Sequence, residues 1–153
     1  MANQSEKTIA TNRKAFSDYD ILEKYEAGIV LMGSEVKSIR DGKVNLKDSY
    51  ALIKNEEPIL LNCHISPYNF AHQFNHEPLR TRRLLLHQHE INRLMGKIKE
   101  KGLTLVPLRI YFKGKHIKVE IGLAKGRKIW GKRDVKRRKA VDKEVQKALK
   151  YRR

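Results

Sequence analysis

The sequence predicts a mainly β, α+β domain that ends in a strongly cationic tail. Three observations carry this reading. Several short runs alternate apolar and polar residues, the period of half-buried strands. One stretch, Ile91, Leu94, Met95 and Ile98, repeats instead at i, i+3, i+4 and i+7, the period of an amphipathic helix. The last 29 residues, Lys125 to Arg153, hold 14 Lys+Arg against 3 Asp+Glu, which is +11 of the chain's net +17. Like charges at that density repel one another, and the segment gains most when a polyanion such as nucleic acid neutralises it and releases counterions.

The elements follow in order. Ala27, Ile29 and Leu31 suggest a first strand. Ser34 to Arg40 reads as a short helix, capped by Ser34 and ended by Asp41-Gly42. Tyr50 to Lys54 is strand-like, and Asn55-Glu56-Glu57-Pro58 separates it from a period-two face of Ile59, Leu61, Cys63 and Ile65. Arg80, Arg82 and Arg83 precede the apolar Leu84-Leu85-Leu86. The helix around Ile91 to Ile98 is stopped by Gly102. Residues 103 to 123 read as a hairpin. Val106, Leu108, Ile110 and Phe112 share one face, Lys113-Gly114-Lys115 turns the chain, and Ile117, Val119, Ile121 and Leu123 share the returning face. Pro107 donates no ladder bond and marks an edge or a bulge. About five strands with a helix before the last hairpin are compatible with a closed antiparallel barrel of the OB type, a fold that binds nucleic acid on one face and its loops. A sandwich or another α+β fold stays open on this count alone. The expected division is 1–124 for the barrel with a short N-terminal arm, and 125–153 for the tail.

The tail carries only a thin helical stripe, Val141, Val145 and Ala148/Leu149, too little apolar surface to dock firmly. The expectation is a segment disordered when free that becomes helical on an RNA surface. As a helix it would span roughly 43 Å, at about 1.5 Å per residue.

Composition narrows the class further. No apolar run approaches the roughly 20 residues of a membrane span. Met1 to Lys14 lacks an apolar signal segment, and the single Cys63 allows no internal disulfide, so a cytoplasmic protein is the simplest expectation. No phosphate-cradling G-x-x-x-x-G-K-[ST] or G-x-G-x-x-G is present, and Gly33-Ser34-Glu35 is not a nucleophile elbow. Cys63-His64 lacks partner spacing for a metal, and His72 and His76, four apart, lack a third ligand. No spacing supports a nuclease that uses His and Lys as acid and base. Cofactors are expected to be none.

Binding residues stand out more clearly. Arg80, Arg82 and Arg83 beside a strand offer phosphate contacts on a rigid platform, and His87 and His89 beyond it can stack on or hydrogen-bond to bases. Trp130, inside Gly126-Arg127-Lys128-Ile129-Trp130-Gly131-Lys132-Arg133, suits base stacking with phosphate neutralisation.

These residues belong to a longer series of blocks. Asn12-Arg13-Lys14-Ala15, Glu26-Ala27-Gly28, Gly33-Ser34-Glu35-Val36-Lys37-Ser38-Ile39-Arg40 and Asp48-Ser49-Tyr50 follow one another. So do His64-Ile65-Ser66-Pro67-Tyr68, Arg80-Thr81-Arg82-Arg83-Leu84-Leu85-Leu86-His87 and Ile121-Gly122-Leu123-Ala124-Lys125-Gly126-Arg127-Lys128. Each block alone is weak; seven in order resemble the bacterial SsrA-binding (SmpB) family from about Asn12 into the tail. The resemblance implies an OB-type barrel and a non-catalytic adaptor of trans-translation. Such an adaptor binds the tRNA-like domain of transfer-messenger RNA and delivers it to stalled ribosomes. Its tail occupies the vacant messenger channel at the decoding centre, made of small-subunit rRNA. Elongation factor Tu with the charged RNA is an implied partner, and the protein is expected to be a monomer away from membranes.

By the same resemblance Glu26, Leu85 and His87 match barrel positions that hold the tRNA-like elbow, with His87 where many relatives carry Asn. Asn12, Arg13, Lys37, Arg40, Arg80 and Arg82 are further expected contacts to this RNA, from charge or polarity within matching blocks. Trp130 falls where relatives carry an aromatic residue or His that stacks on rRNA. Lys132 and Arg133 match the end of an Asp-Lys-Arg segment in which Gly131 replaces the acid. Lys125, Arg127, Lys128, Lys136 and Arg137 complete the cations expected in the channel.

Overall fold

The computed structural model describes residues 5–69 and 75–127. Among them the chain forms β1 (Glu6–Thr11), α1 (Arg13–Asp18), β2 (Tyr19–Ile29), α2 (Gly33–Arg40), β3 (Val44–Asn45) and β4 (Tyr50–Lys54). It continues with β5 (Glu57–Leu61), β6 (His64–Ile65), β7 (Arg82–Leu85), α3 (Gln88–Lys101), β8 (Thr104–Lys113) and β9 (His116–Gly126). The main sheet runs β1-β8-β4-β5-β7-β2-β9, and β8 also pairs with β9. That last pairing closes a ring of six antiparallel strands, so the sheet becomes a barrel. One edge of β8 is shared. Leu105 near its start pairs with Ala51 of β4, while its far end, Arg109 to Lys113, pairs with β1. A separate two-stranded ribbon joins β3 and β6.

Local chemistry sets the turns. Lys113 pairs with His116 across a two-residue loop in which Gly114 takes φ +59°, as the expected hairpin requires. The β4–β5 hairpin turns through Asn55 and Glu56, at φ +51° and +63°. α3 ends at Gly102 in the left-handed conformation, φ 61° and ψ 32°. The start of α2 differs from expectation. Its N-cap is Met32, not Ser34, and the carboxylate of Glu35 reaches back to accept from the Met32 amide at 2.8 Å. Ser34 lies inside the helix, with its hydroxyl 2.8 Å from Nδ1 of His76.

Two apolar clusters fill the interior. The larger is built on Ala27, Ile39, Leu60, Leu94, Ile110 and Ile121 with their neighbours. The smaller, Ala15, Val106, Leu108 and Ala124, lies beneath α1 with Tyr19 and Ile21. Two expected faces are split between environments. The register of β8 against β9 shifts between Pro107 and Arg109. That bulge inverts side-chain parity, so Val106 and Leu108 join the small cluster while Leu105 and Ile110 join the large one. Similarly, Asn62 takes φ +58° after β5. Leu60, Cys63 and Ile65 are therefore buried, whereas Ile59 and Leu61 are only half-buried. Gly122 lies where the layers touch: a Cβ there would meet Leu108 Cδ1 at 3.0 Å and Ile21 Cγ2 at 3.2 Å. β9 itself runs to Gly126, two residues past the expected end of the barrel at Ala124.

Candidate nucleic-acid interface

The outer wall of the barrel, across β2, β9, β8 and β1, carries an ordered set of charges. Glu26 of β2 stands opposite Glu120 of β9, and Glu120 stands opposite Arg109 of β8. Tyr111, two residues on, shares that wall. Its hydroxyl donates to Glu26 Oε2 at 2.6 Å, and Lys113 Nζ donates to both carboxylate oxygens at 3.2 Å. The Arg109 guanidinium covers the Tyr111 ring at 4.0 Å and bonds Glu120, Glu6 and Thr8. The Tyr111 bond leads in holding the Glu26 carboxyl below its ordinary range, against partial burial, with Lys113 helping. Burial first, then Glu26, pushes the Tyr111 phenol up.

The same wall continues onto β7. Gly28, two residues from Glu26, pairs with Leu85, and a Cβ on Gly28 would come within 3.2 Å of Leu85 Cβ. Leu85 is 54% exposed, unusual for leucine on a barrel strand. The antiparallel register of β2 and β7 sends the chain beyond Leu85 back toward the level of Glu26, where His87 caps α3. The His87 and His89 rings stack with centroids 5.5 Å apart. A carboxylate, an exposed apolar side chain and an imidazole pair thus follow one another on a wall fixed by main-chain hydrogen bonds. This suits stacking and donor–acceptor reading more than plain charge neutralisation.

Sequence alone assigns the three arginines of one block to similar work; the fold separates them. Arg82 is fully buried. Its Nε donates to Glu35 Oε2 at 2.5 Å, Nη1 to the Cys63 carbonyl at 2.6 Å and Nη2 to the Pro78 carbonyl at 3.2 Å. Arg82 therefore leaves the expected set of RNA contacts, because its charge and donors are consumed inside the protein. Arg80 is partly exposed and donates to Glu35 Oε1 at 2.5 Å and to the Val30 carbonyl at 3.2 Å. Arg83 is exposed, with Glu57 at 3.7 Å. Burial alone would push the Glu35 carboxyl up. Arg80, the Met32 amide and Arg82 together hold it below its ordinary range, so the buried group stays ionised. This network ties α2 to the segment before β7 and turns Lys37 and Arg40 outward. Lys37 Nζ lies 5.4 Å from the centre of the Tyr68 ring, and Ser38 donates to the Ser66 carbonyl at 2.7 Å.

Asn12 is the second correction. It is 7% exposed; its Oδ1 caps α1 through the Ala15 amide at 3.3 Å, and its Nδ2 donates to the Pro107 carbonyl at 2.9 Å. It clamps the β8 bulge to α1 and has no face left for RNA. Arg13 beside it is exposed, as are Lys125 and Arg127 at the end of β9. Arg127 pairs with Asp20 at 3.1 Å. Lys128, Trp130, Lys132, Arg133, Lys136 and Arg137 lie outside the described residues, as does His72. Among the described residues no three potential ligands gather for a metal ion. Cys63 is a core residue, and burial pushes its thiol up to about 11. Both ring nitrogens of His76 are engaged, Nε2 donating to the Ile65 carbonyl at 2.8 Å and Nδ1 meeting Ser34.

Sequence reasoning missed Glu35, Tyr111, Arg109 and Glu23. Glu23 accepts from Lys97 at 2.5 Å, Tyr25 at 2.7 Å and Arg93 at 2.9 Å, pinning α3 to β2. Strand parity was the available signal for Arg82, which alternates with Arg83 and shares its side with Leu84.

Comparison with known proteins decides the family. The model of the SmpB protein family matches residues 9–151. The chain belongs to the SmpB protein family. An SsrA-binding protein of Carboxydothermus hydrogenoformans is 60% identical over 96% of this chain and 99% of its own length. One from a Sulfurihydrogenibium species is 59% identical over 95% and 96%. A chain from a solved structure described as "tmRNA-SmpB: a journey to the center of the bacterial ribosome" shares 52% identity. It covers 80% of this SmpB-family chain and 87% of its own, at a TM-score of 0.65.

Proposed function

We propose that this SmpB-family chain is a non-catalytic RNA-binding adaptor of trans-translation. Its barrel takes the tRNA-like domain of transfer-messenger RNA on the wall that carries Glu26, Leu85 and His87, with Lys37, Arg40 and Arg13 available to phosphates. It delivers that RNA, charged and with elongation factor Tu, to stalled ribosomes in the cytoplasm as a monomer. Residues beyond Arg127 enter the vacant messenger channel, where Trp130 stacks on rRNA and Lys128, Lys132, Arg133, Lys136 and Arg137 neutralise phosphates, while Lys125 and Arg127, held at the end of β9, stand at the root of the tail. A narrow cationic helix enters an empty rRNA-lined tunnel, while intact messenger excludes it by sterics and repulsion. Stall recognition then follows from vacancy, without any base sequence.

The observation that carries this reading is the 52% identity to a chain of the tmRNA-SmpB structure over four-fifths of the sequence. Truncation after Arg127 tests it. The truncated chain keeps its preference for transfer-messenger RNA over an unrelated RNA of equal length and loses tagging on stalled ribosomes. Loss of RNA binding on truncation overturns the division of labour, and an absent preference in the full chain overturns the function.

A further inference from the structure

A carboxylate on a wall meant for a polyanion is costly beside phosphate. It helps only where it accepts a hydrogen bond from the RNA, and for that it must be ionised and held in one orientation. Glu26 meets both conditions through neighbours that sequence reasoning does not single out. Tyr111 is 1% exposed, so its ring cannot swing. Arg109, tied in turn to Glu120 and Glu6, lies over that ring at 4.0 Å. The phenol reaches Oε2 at 2.6 Å, and Lys113 bridges both oxygens from 3.2 Å. A carboxylate offers about four lone-pair sites, so acceptor capacity remains on the partly exposed side of Glu26.

We propose that Glu26 is a fixed acceptor for a donor group of the RNA, a ribose 2′-hydroxyl or a base N–H, and that Tyr111 is the positioning residue that holds it. This rests on the proposed function and names the chemistry of that same wall. Tyr111 donates its only proton inward and touches no RNA. Removing its oxygen leaves Glu26 free to rotate toward Lys113 and easier to protonate.

The test is a double-mutant cycle on the full chain, with Tyr111→Phe, Glu26→Leu (which removes every acceptor atom) and the pair, each checked for an unchanged circular dichroism spectrum. Binding to transfer-messenger RNA is measured at constant salt from pH 8 down to pH 3.5, below the ordinary carboxyl range. Tyr111→Phe is expected to weaken binding about tenfold at neutral pH, the scale of one charge-assisted hydrogen bond. It should also move the acid limb of the affinity to higher pH. The sign follows from the geometry. The tyrosine favours ionised Glu26, so without it the proton arrives sooner as pH falls. Lys113 and Lys118 oppose that proton, Glu120 favours it, and all three remain in every variant, as does the Arg109–Glu6 pair. In the Glu26→Leu background Tyr111→Phe should add nothing and shift nothing.

Equal losses in both backgrounds, or an unmoved acid limb, would make Tyr111 merely structural and overturn the proposal. An inert Glu26→Leu with wild-type RNA preference intact would overturn it while leaving the function standing. Absent preference in the wild-type chain would overturn the function itself. A 2′-fluoro transcript identifies the donor. Loss of the Glu26–Tyr111 coupling assigns it to ribose, and persistence assigns it to a base.

Discussion

Replacing Arg82 with methionine removes a cation that sits wholly inside the protein. The change strands Glu35, fully buried, with Arg80 and the Met32 amide as its remaining partners. It also frees the carbonyls of Cys63 and Pro78, which accept from the guanidinium at 2.6 and 3.2 Å. Breaking a buried ion pair from one side costs about 3–5 kcal/mol, and because Glu35 keeps Arg80 the loss should lie toward the lower end of that range. At roughly 2–4 °C per kcal/mol for a chain of this size, Tm should fall by about 10 °C. The exposed neighbour Arg83, 3.7 Å from Glu57, provides the contrast, since its alanine variant should cost under about 0.5 kcal/mol. Thermal melts and urea titrations of both variants measure this, with RNA affinity read well below the lower Tm. A double variant, Arg82→Met with Glu35→Leu, should recover much of the loss, since an apolar pair of similar volume often replaces a buried ion pair at little cost. The reasoning is refuted if Arg82→Met melts like wild type yet loses RNA affinity. That result would place Arg82 on the RNA and the network elsewhere.

Further outcomes follow from other residues. Lys97, Tyr25 and Arg93 lower the Glu23 carboxyl from 4.5 to about 2. Its contribution is thus complete above the unfolded value and is lost as pH falls through that window. Hydrogen exchange should show α3 loosening from β2 there, and Glu23→Gln should abolish the pH dependence of that loosening. Gly122→Ala pushes a methyl into Leu108 and Ile21 at 3.0 and 3.2 Å and should cost about 1–3 kcal/mol in urea unfolding. Lys37→Ala with Arg40→Ala should flatten the log–log salt dependence of RNA binding by about 0.7–0.9 for each phosphate no longer neutralised, whereas Glu26→Gln should leave that slope unchanged. Trp130→Ala should impair tagging far more than RNA binding, and equal losses would move Trp130 onto the barrel's RNA-binding wall.

What the sequence disclosed follows from periodicity. The last hairpin and α3 were legible because their apolar spacings are regular and end at Gly114 and Gly102, which take positive φ. β1 and α1 were not, since Glu6–Thr11 and Arg13–Asp18 are short and mostly polar, and gain their place only by pairing with β8 and covering Val106 and Leu108. Parity failed wherever one residue was added. The Pro107–Arg109 bulge and the φ of Asn62 each inverted a face that alternation had assigned whole. Of the proposed RNA-binding wall, Glu26, Leu85 and His87 entered the reading as a set only through the family blocks. Its supports did not, because Tyr111 and Lys113 lie 85 and 87 residues from the Glu26 they hold. Arg82 looked like its neighbours because chemistry was equal and only strand direction differed.

The charge distribution argues that affinity and discrimination are placed in different parts of the molecule. On the barrel many acids are matched to cations. Glu26 holds Lys113, Glu120 and Glu6 hold Arg109, Glu23 holds Arg93 and Lys97, and Glu35 holds Arg80 and Arg82. Much of the charge on such a surface is compensated internally, and an RNA that binds it must fit stacking surfaces and offered acceptors in place of simple charge exchange. In residues 125–153, only 3 acidic residues face 14 basic ones, so composition alone leaves most of those cations to a polyanion. A tail of that kind attracts any nucleic acid with steep salt dependence and little sequence preference. Were the barrel built the same way, the protein would be drawn to every RNA in reach. On the proposed function, a wall whose charges are largely paired would let one folded RNA be chosen first and leave undirected attraction to residues 128–153.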